Sequence, residues 1–142
     1  MDLHEDWLTP DWPAPPGVRA VCTTRAGGVS GAPYGSLNLG DHVGDDPANV
    51  ALNRATLNAA LGVRPVFLNQ VHGVEVARLT RESEDGTTAD ACFTDQPGVA
   101  CTVMVADCVP VLFAHRKGHV VAAAHAGWRG LAAGVLENTV VA

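Results

Sequence analysis

Two apolar runs separated by a short polar break constrain this chain more than any other feature. Val109-Pro110-Val111-Leu112-Phe113-Ala114 and His119-Val120-Val121-Ala122-Ala123-Ala124 flank His115-Arg116-Lys117-Gly118. That pattern predicts a β-hairpin with a glycine in its turn. Opposed residues in an antiparallel pair keep a constant sum of residue numbers. With Ala114 opposite His119, Cys108 falls opposite His125. Opposed Cβ atoms lie about 4.5–5.5 Å apart, close enough for a thiolate and an imidazole to share one ion. A slip of one residue would send the two groups to opposite faces. Both arms are apolar on both faces, which predicts a sheet covered on both sides in a layered α/β arrangement.

The chain has 142 residues, enough for one domain. Hydrophobic residues make up 47% of it, so a sizeable core can be buried. The formal net charge of −6 argues against a nucleic-acid backbone or an anionic membrane as the main partner. A small anion such as phosphate needs only a local cationic pocket. No apolar run approaches the roughly 20 residues of a membrane span. The stretch Met1-Asp2-Leu3-His4-Glu5-Asp6 has neither the basic nor the apolar region of a signal peptide. The expected location is the cytoplasm, and no oligomeric state follows from the sequence. Cys22, Cys92, Cys101 and Cys108 form no Cys-x-x-Cys pair and are expected as free thiols. The first three read as small buried apolar residues.

In chain order, residues 1–17 form a proline-rich lead-in laid across the core by Trp7 and Trp12. Val18 to Thr24 reads as a strand running into the Gly-rich loop Arg25-Ala26-Gly27-Gly28-Val29-Ser30-Gly31. Without a following Gly-Lys-Ser/Thr, that loop is no Walker motif. Asp46 and Pro47 mark a helix start, Val50, Leu57 and Leu61 its apolar stripe, and Gly62 its stop. Asn53 and Arg54 read as solvated helix surface. Strands are expected over 66–71, 74–79, 89–94 and 99–105, with His72 at a tight turn between the first two. After His125, Leu131 to Asn138 has helical composition with no stop before Ala142.

A thiolate and two neutral imidazoles make a three-ligand set that leaves zinc a fourth position open for water or substrate. Cys108 and His125 converge by hairpin pairing. His115 and His119 lie about 20 Å away at the far end of the hairpin, which leaves His72 and His42 as candidates for the third ligand. The rival use of the same pair is nucleophilic: His125 deprotonates Cys108 for attack.

At these residues the chain resembles the YfiH-like family, described both as laccase-like multicopper polyphenol oxidases and as purine nucleoside phosphorylases. The resemblance rests on Thr23-Thr24-Arg25-Ala26-Gly27-Gly28-Val29-Ser30, Pro33-Tyr34-Gly35-Ser36-Leu37-Asn38-Leu39-Gly40 and His42-Val43-Gly44-Asp45-Asp46-Pro47. It continues through Asn53-Arg54, Asn69-Gln70-Val71-His72-Gly73, Ala106-Asp107-Cys108-Val109-Pro110-Val111 and His125-Ala126-Gly127-Trp128-Arg129-Gly130. It implies a mixed α+β fold, an α/β/β/α layered sandwich with mixed sheets, of which this chain is the N-terminal part. The family continues through further strands and helices, so a single YfiH-like domain is expected over 1–142, cut short at its C-terminus.

The resemblance also implies a zinc site on His72, Cys108 and His125, with copper as the alternative metal. The implied reaction is phosphorolysis of adenosine and inosine to base and ribose 1-phosphate, with adenosine deamination and methylthioadenosine cleavage as further activities. Copper-dependent phenol oxidation and editing of peptidoglycan precursors are the alternatives, and a non-enzymatic binding module or a structural zinc site are the non-catalytic ones. Charge type and neighbourhood point to Arg25, Arg54 and Arg129, with Asn38, as phosphate or substrate contacts. Asp107 is the candidate to orient a ligand histidine or move a proton.

Overall fold

The computed structural model describes residues 1–142, which divide into two compact units. One comprises residues 1–12 and 20–64; the other comprises 13–19 and 65–142.

The first unit is built on α1 (Pro47–Leu61). Asp46 caps it by accepting a hydrogen bond from the Ala48 amide at 2.9 Å. Pro47 opens it, and Gly62 closes it in the left-handed conformation at φ +71° with its amide on Asn58 O. The buried stripe is Val50, Asn53, Leu57 and Ala60. Asn53 is therefore not the solvated residue expected from its polarity. It is fully buried, because its carboxamide replaces secondary structure for the irregular chain beside it. Its Oδ1 accepts from the Val29 amide, and its Nδ2 donates to Ser30 Oγ and Asn38 O. Gly28 is required here, since a Cβ would run into Ser36 O and Asn53 Oδ1. The expected strand over 18–24 reduces to a single bridge between Leu8 and Cys22, with Cys22 exposed rather than buried. The backbone beyond it bonds instead within the loop, where Arg25 O accepts from the Ser36 and Leu37 amides. Trp7 of the lead-in is buried, its indole N–H on Ala26 O at 2.9 Å.

Strand β1 (Arg64–Val66) starts on the last residue of the first unit, and the second unit holds β2 (Val76–Arg78), β3 (Ala91–Thr94), β4 (Val99–Cys101), β5 (Val109–Ala114) and β6 (Val121–Ala126). A four-stranded sheet runs in the order β2-β3-β6-β5, parallel between β2 and β3 and antiparallel elsewhere; β1 and β4 form a small pair. The fold is thus α+β with mixed sheet pairing. Alternate residues separate two cores. Cys92, Ala123, Ala77 and Leu112 pack with Val66, Leu68, Leu79 and Val99. On the other face Ala91, Ala124, Val76, Val111 and Phe113 pack with Val135 and Leu136, which belong to α3 (Val135–Val141). The two-sided apolar pattern of the hairpin is the imprint of this double cover.

The hairpin register differs from the expected one by two residues. Val109 faces Ala126 and Ala114 faces Val121, because His115 N bonds Val120 O and extends the ladder, so that the turn occupies 116–119 in place of 115–118. An even slip keeps every side chain on its expected face. The strand expected over 66–71 lies earlier, at Arg64–Val66, and shares only Val66 with that range, while the one expected over 99–105 ends at Cys101. Beyond Val66 and Cys101, side chains take over the backbone groups: Asp85 accepts from the Phe67 amide, and Gln70 bonds both the N–H and the C=O of Met104. The C-terminal helix is also divided. Gly134, at φ +103°, separates α2 (Trp128–Ala133) from α3. No helix is long and apolar enough to cross a membrane.

Two outcomes follow for the first unit. Asn53→Leu strands the Val29 amide and Asn38 carbonyl and should lower stability by about 2–4 kcal/mol in urea titrations; a change inside 0.5 kcal/mol would refute the role given to this carboxamide. The Asp45 carboxyl is held below its ordinary value, first by the Ser30 hydroxyl, which together with Asn38 and the Asp46 amide outweighs the opposing effect of burial. A depressed folded-state value stabilises fully above the unfolded pKa of about 4 and is lost as pH falls through the folded value. Melting curves of wild type and Asp45→Asn should therefore converge on acidification, and a constant gap would contradict this.

Candidate metal centre

Three separate stretches of the second unit bring His72, Cys108 and His125 together. One ligand atom from each lies within 4.8 Å of the others, and the two imidazole rings meet edge to face at 5.0 Å between centroids. The cluster is graded in exposure: His125 is buried, Cys108 half-buried and His72 exposed, so it is open on the His72 side.

His125 lies near the end of β6, and its strand partner there is Asp90. The β3–β6 register places Ala91 opposite Ala124, and the His125 amide extends it by donating to Asp90 O at 2.7 Å. The Asp90 side chain is fully buried. Its Oδ2 lies 2.8 Å from His125 Nδ1. The remaining donors come from the turn before β2. The amides of Val71 and Gly73 reach Oδ1, and that of His72 reaches Oδ2, each at 2.9 Å. These bonds hold His72 at φ +60°, a left-handed conformation found at no other non-glycine residue of the chain and unfavourable for a side chain with a Cβ. Burial pushes the Asp90 carboxyl up, but the Gly73 amide, the His125 imidazole and the Val71 and His72 amides outweigh it and hold the group below its ordinary value. Asp90 is thus a buried carboxylate.

Cys108 immediately precedes β5. The observed register sets it opposite Gly127 and diagonal to His125 on the same face, still within reach of a side chain. Gly127 matters for what it lacks. A Cβ there would lie 3.1 Å from His72 Cδ2 and 3.2 Å from Cys108 Sγ. The Gln70 carboxamide, two residues before His72, pins Met104 at 2.7 and 2.8 Å and so ties the stretch leading to Cys108 to the stretch leading to His72.

The donor set suits a metal ion. A cysteine and two histidines are borderline-soft ligands of the kind zinc and copper take. A histidine whose second nitrogen bonds a carboxylate is the usual supported ligand. The other candidates have these partners and exposures. Asp107 is exposed, and the carboxylate bonded to His125 is Asp90 rather than Asp107. His42 is exposed and faces Asp41 at 3.8 Å. Arg25 donates through Nε to Gly35 O. Arg54 donates through Nε to Leu39 O and faces Asp41 at 3.8 Å. Asn38 bonds Gly40 and Asp45. Arg129 lies over the Trp128 ring at 5.3 Å, and that indole is 76% exposed. Sequence reasoning missed Asp90, Gln70 and Gly127. Asp90 did leave a signal: a charged residue inside the apolar run Ala89-Asp90-Ala91-Cys92-Phe93 is rarely buried unless it is paired.

Cys92 and Cys101 touch within the core. Contact with Cys92 and burial push the Cys101 thiol up, so it stays protonated and apolar.

Residues 19–142 match the family described as multi-copper polyphenol oxidoreductase laccase. The chain is 61% identical over 134 residues to a Pseudomonas aeruginosa protein named purine nucleoside phosphorylase, covering 94% of this chain and 54% of that one. It is 57% identical over 135 residues to purine nucleoside phosphorylase YfiH of Escherichia coli, covering 94% and 56%. Among solved structures, a Neisseria meningitidis protein superimposes with a TM-score of 0.92 at 51% identity, over 96% of this chain and 57% of that one. YlmD from Geobacillus stearothermophilus does so with a TM-score of 0.83 at 35% identity, over 95% and 54%. The chain spans about half the length of the curated relatives it matches.

Gly127→Ala tests the convergence of the ligands. Gly127 has φ −72° and ψ 169°, which alanine adopts freely, so the added methyl acts on its neighbours alone. Zinc affinity measured against a chelating dye should fall about tenfold with little change in melting temperature. Unchanged affinity would show that the approach over Gly127 is not needed.

Proposed function

The chain belongs to the multi-copper polyphenol oxidoreductase laccase family, and from that premise we propose that His72, Cys108 and His125 form the zinc centre of a purine nucleoside phosphorylase. The observation that carries this reading is the three-ligand cluster, buried at His125 and open at His72, in a chain whose curated relatives bear that name. The proposed reaction takes adenosine or inosine and phosphate to the free base and ribose 1-phosphate. Adenosine deamination and phosphorolysis of methylthioadenosine are proposed as further activities of the same centre.

When bound, zinc supplies Lewis-acid polarisation of a water or substrate oxygen. The chain's own residues do the rest. His72, Cys108 and His125 hold the ion and leave one side open to substrate. Arg25, Arg54 and Arg129, with Asn38, are the proposed contacts for phosphate and ribose, since a guanidinium fork matches two phosphate oxygens at once. In phosphorolysis a phosphate oxygen forms the bond to C1′ as the C1′–N bond breaks, and the departing base takes a proton. Asp107, exposed beside Cys108, is the proposed group for that proton movement. The substrates are small molecules, the setting is the cytoplasm, and neither nucleic acid nor membrane is part of the reading.

A second reading rests on the donor set. Two histidines and one cysteine are also the trigonal set of copper centres, and the family's description names copper oxidases. Metal analysis of protein purified without added metal separates the two: about one zinc per chain supports the first reading, and copper with phenol oxidation supports the second.

The decisive assay is incubation with adenosine, with and without phosphate. Adenine formed only with phosphate identifies phosphorolysis, and inosine identifies deamination. Cys108→Ala should lose zinc and reduce both activities to background. Undiminished turnover by metal-free Cys108→Ala protein would end the proposal.

A further inference from the structure

We propose that Asp90 is the positioning residue of the centre, fixing which nitrogen His125 offers to a metal and, through the backbone, where His72 stands. Donors and acceptors around Asp90 decide the assignment. An ionised carboxylate only accepts, at roughly four positions on its two oxygens. Three of those positions around Asp90 are taken by the amides of Val71, His72 and Gly73, which can only donate. The fourth contact is His125 Nδ1, 2.8 Å from Oδ2. Both groups are buried, with His125 4% and Asp90 0% exposed, so no bulk water supplies another partner. An acceptor at Nδ1 would face an acceptor, so Nδ1 carries the proton. In the neutral ring the lone pair is then on Nε2, and Nε2 is the atom His125 turns to the cluster.

The same carboxylate governs the second histidine by a different route. Its three amide bonds come from consecutive residues of one turn, and that turn is where His72 adopts φ +60°. Without the anion, three buried or half-buried N–H groups would lose their acceptor and nothing would offset the left-handed conformation. One side chain therefore sets the tautomer of one ligand and the backbone of the other before any ion arrives.

Asp90→Asn is the informative change, because it keeps the shape and alters the donors. A carboxamide oxygen at the Oδ1 position satisfies Val71 and Gly73. The NH2 then faces the His72 amide, donor against donor, and faces His125 Nδ1, which must become an acceptor. The proton moves to Nε2, where a ligand lone pair is needed.

The experiment is long-range 1H–15N NMR of the histidine rings in the metal-free full chain, with zinc titrated afterwards against a competing chelator. Wild-type His125 should show a protonated Nδ1 and a bare Nε2. Asp90→Asn should show the reverse and bind zinc about 10–100-fold more weakly. A wild-type His125 protonated on Nε2 overturns the proposal without reference to any variant. So does a folded Asp90→Asn protein with unchanged tautomer and unchanged zinc affinity. The metal arm rests on the proposed zinc centre, and the tautomer arm does not. The expected tautomers in a chain that takes up no zinc would support the assignment of Asp90 and refute the zinc reading.

Discussion

A single fully buried carboxylate, Asp90, meets three backbone amides and the His125 imidazole, and the candidate site depends on it. Isolated, a buried carboxylate would cost many kcal/mol. Here three amides and one imidazole surround it, and their combined effect exceeds the penalty of burial. The geometry is possible because Asp90 lies at the end of the β3–β6 ladder, directly across from His125. The ladder supplies the imidazole, and the turn before β2 supplies the amides. Removing the anion would disturb a strand end and a turn at once.

The cluster is assembled by restraint from several elements at its margins. Gln70 reproduces a pair of ladder bonds with its side chain, holding together two stretches that have stopped being strands. Gly127 leaves the space over which His72 and Cys108 approach. Exposure rises from His125 through Cys108 to His72, and the most buried candidate ligand is the one with the carboxylate behind it. A supported ligand at the back and an exposed one at the front is an arrangement in which a substrate atom can enter without displacing the ligand that anchors the ion.

The relatives extend this picture in name and length. Purine nucleoside phosphorylases match this chain at 57 and 61% identity, yet the match covers little more than half of each. All three proposed metal ligands and the proposed phosphate contacts lie inside the matched half. The site's inner support is thus a property of these 142 residues, and the activity of the whole relatives is what the assays address.

The hydrophobic pattern by itself determined the hairpin, its two covered faces and the ends of α1, because these depend on local periodicity and capping. The same pattern put Cys108 and His125 on one face even though the register was two residues out, since side-chain direction has a period of two. It overextended the strands after Val66 and Cys101, where carboxylate and carboxamide side chains replace ladder bonds, and it read Asn53 as surface. Polarity alone cannot tell a solvated amide from one that bonds a distant loop. The partner of His125 was likewise decided only by tertiary structure. Asp107 is near Cys108 in sequence, but Asp90 is near His125 in space, because strand pairing brings together residues 35 positions apart.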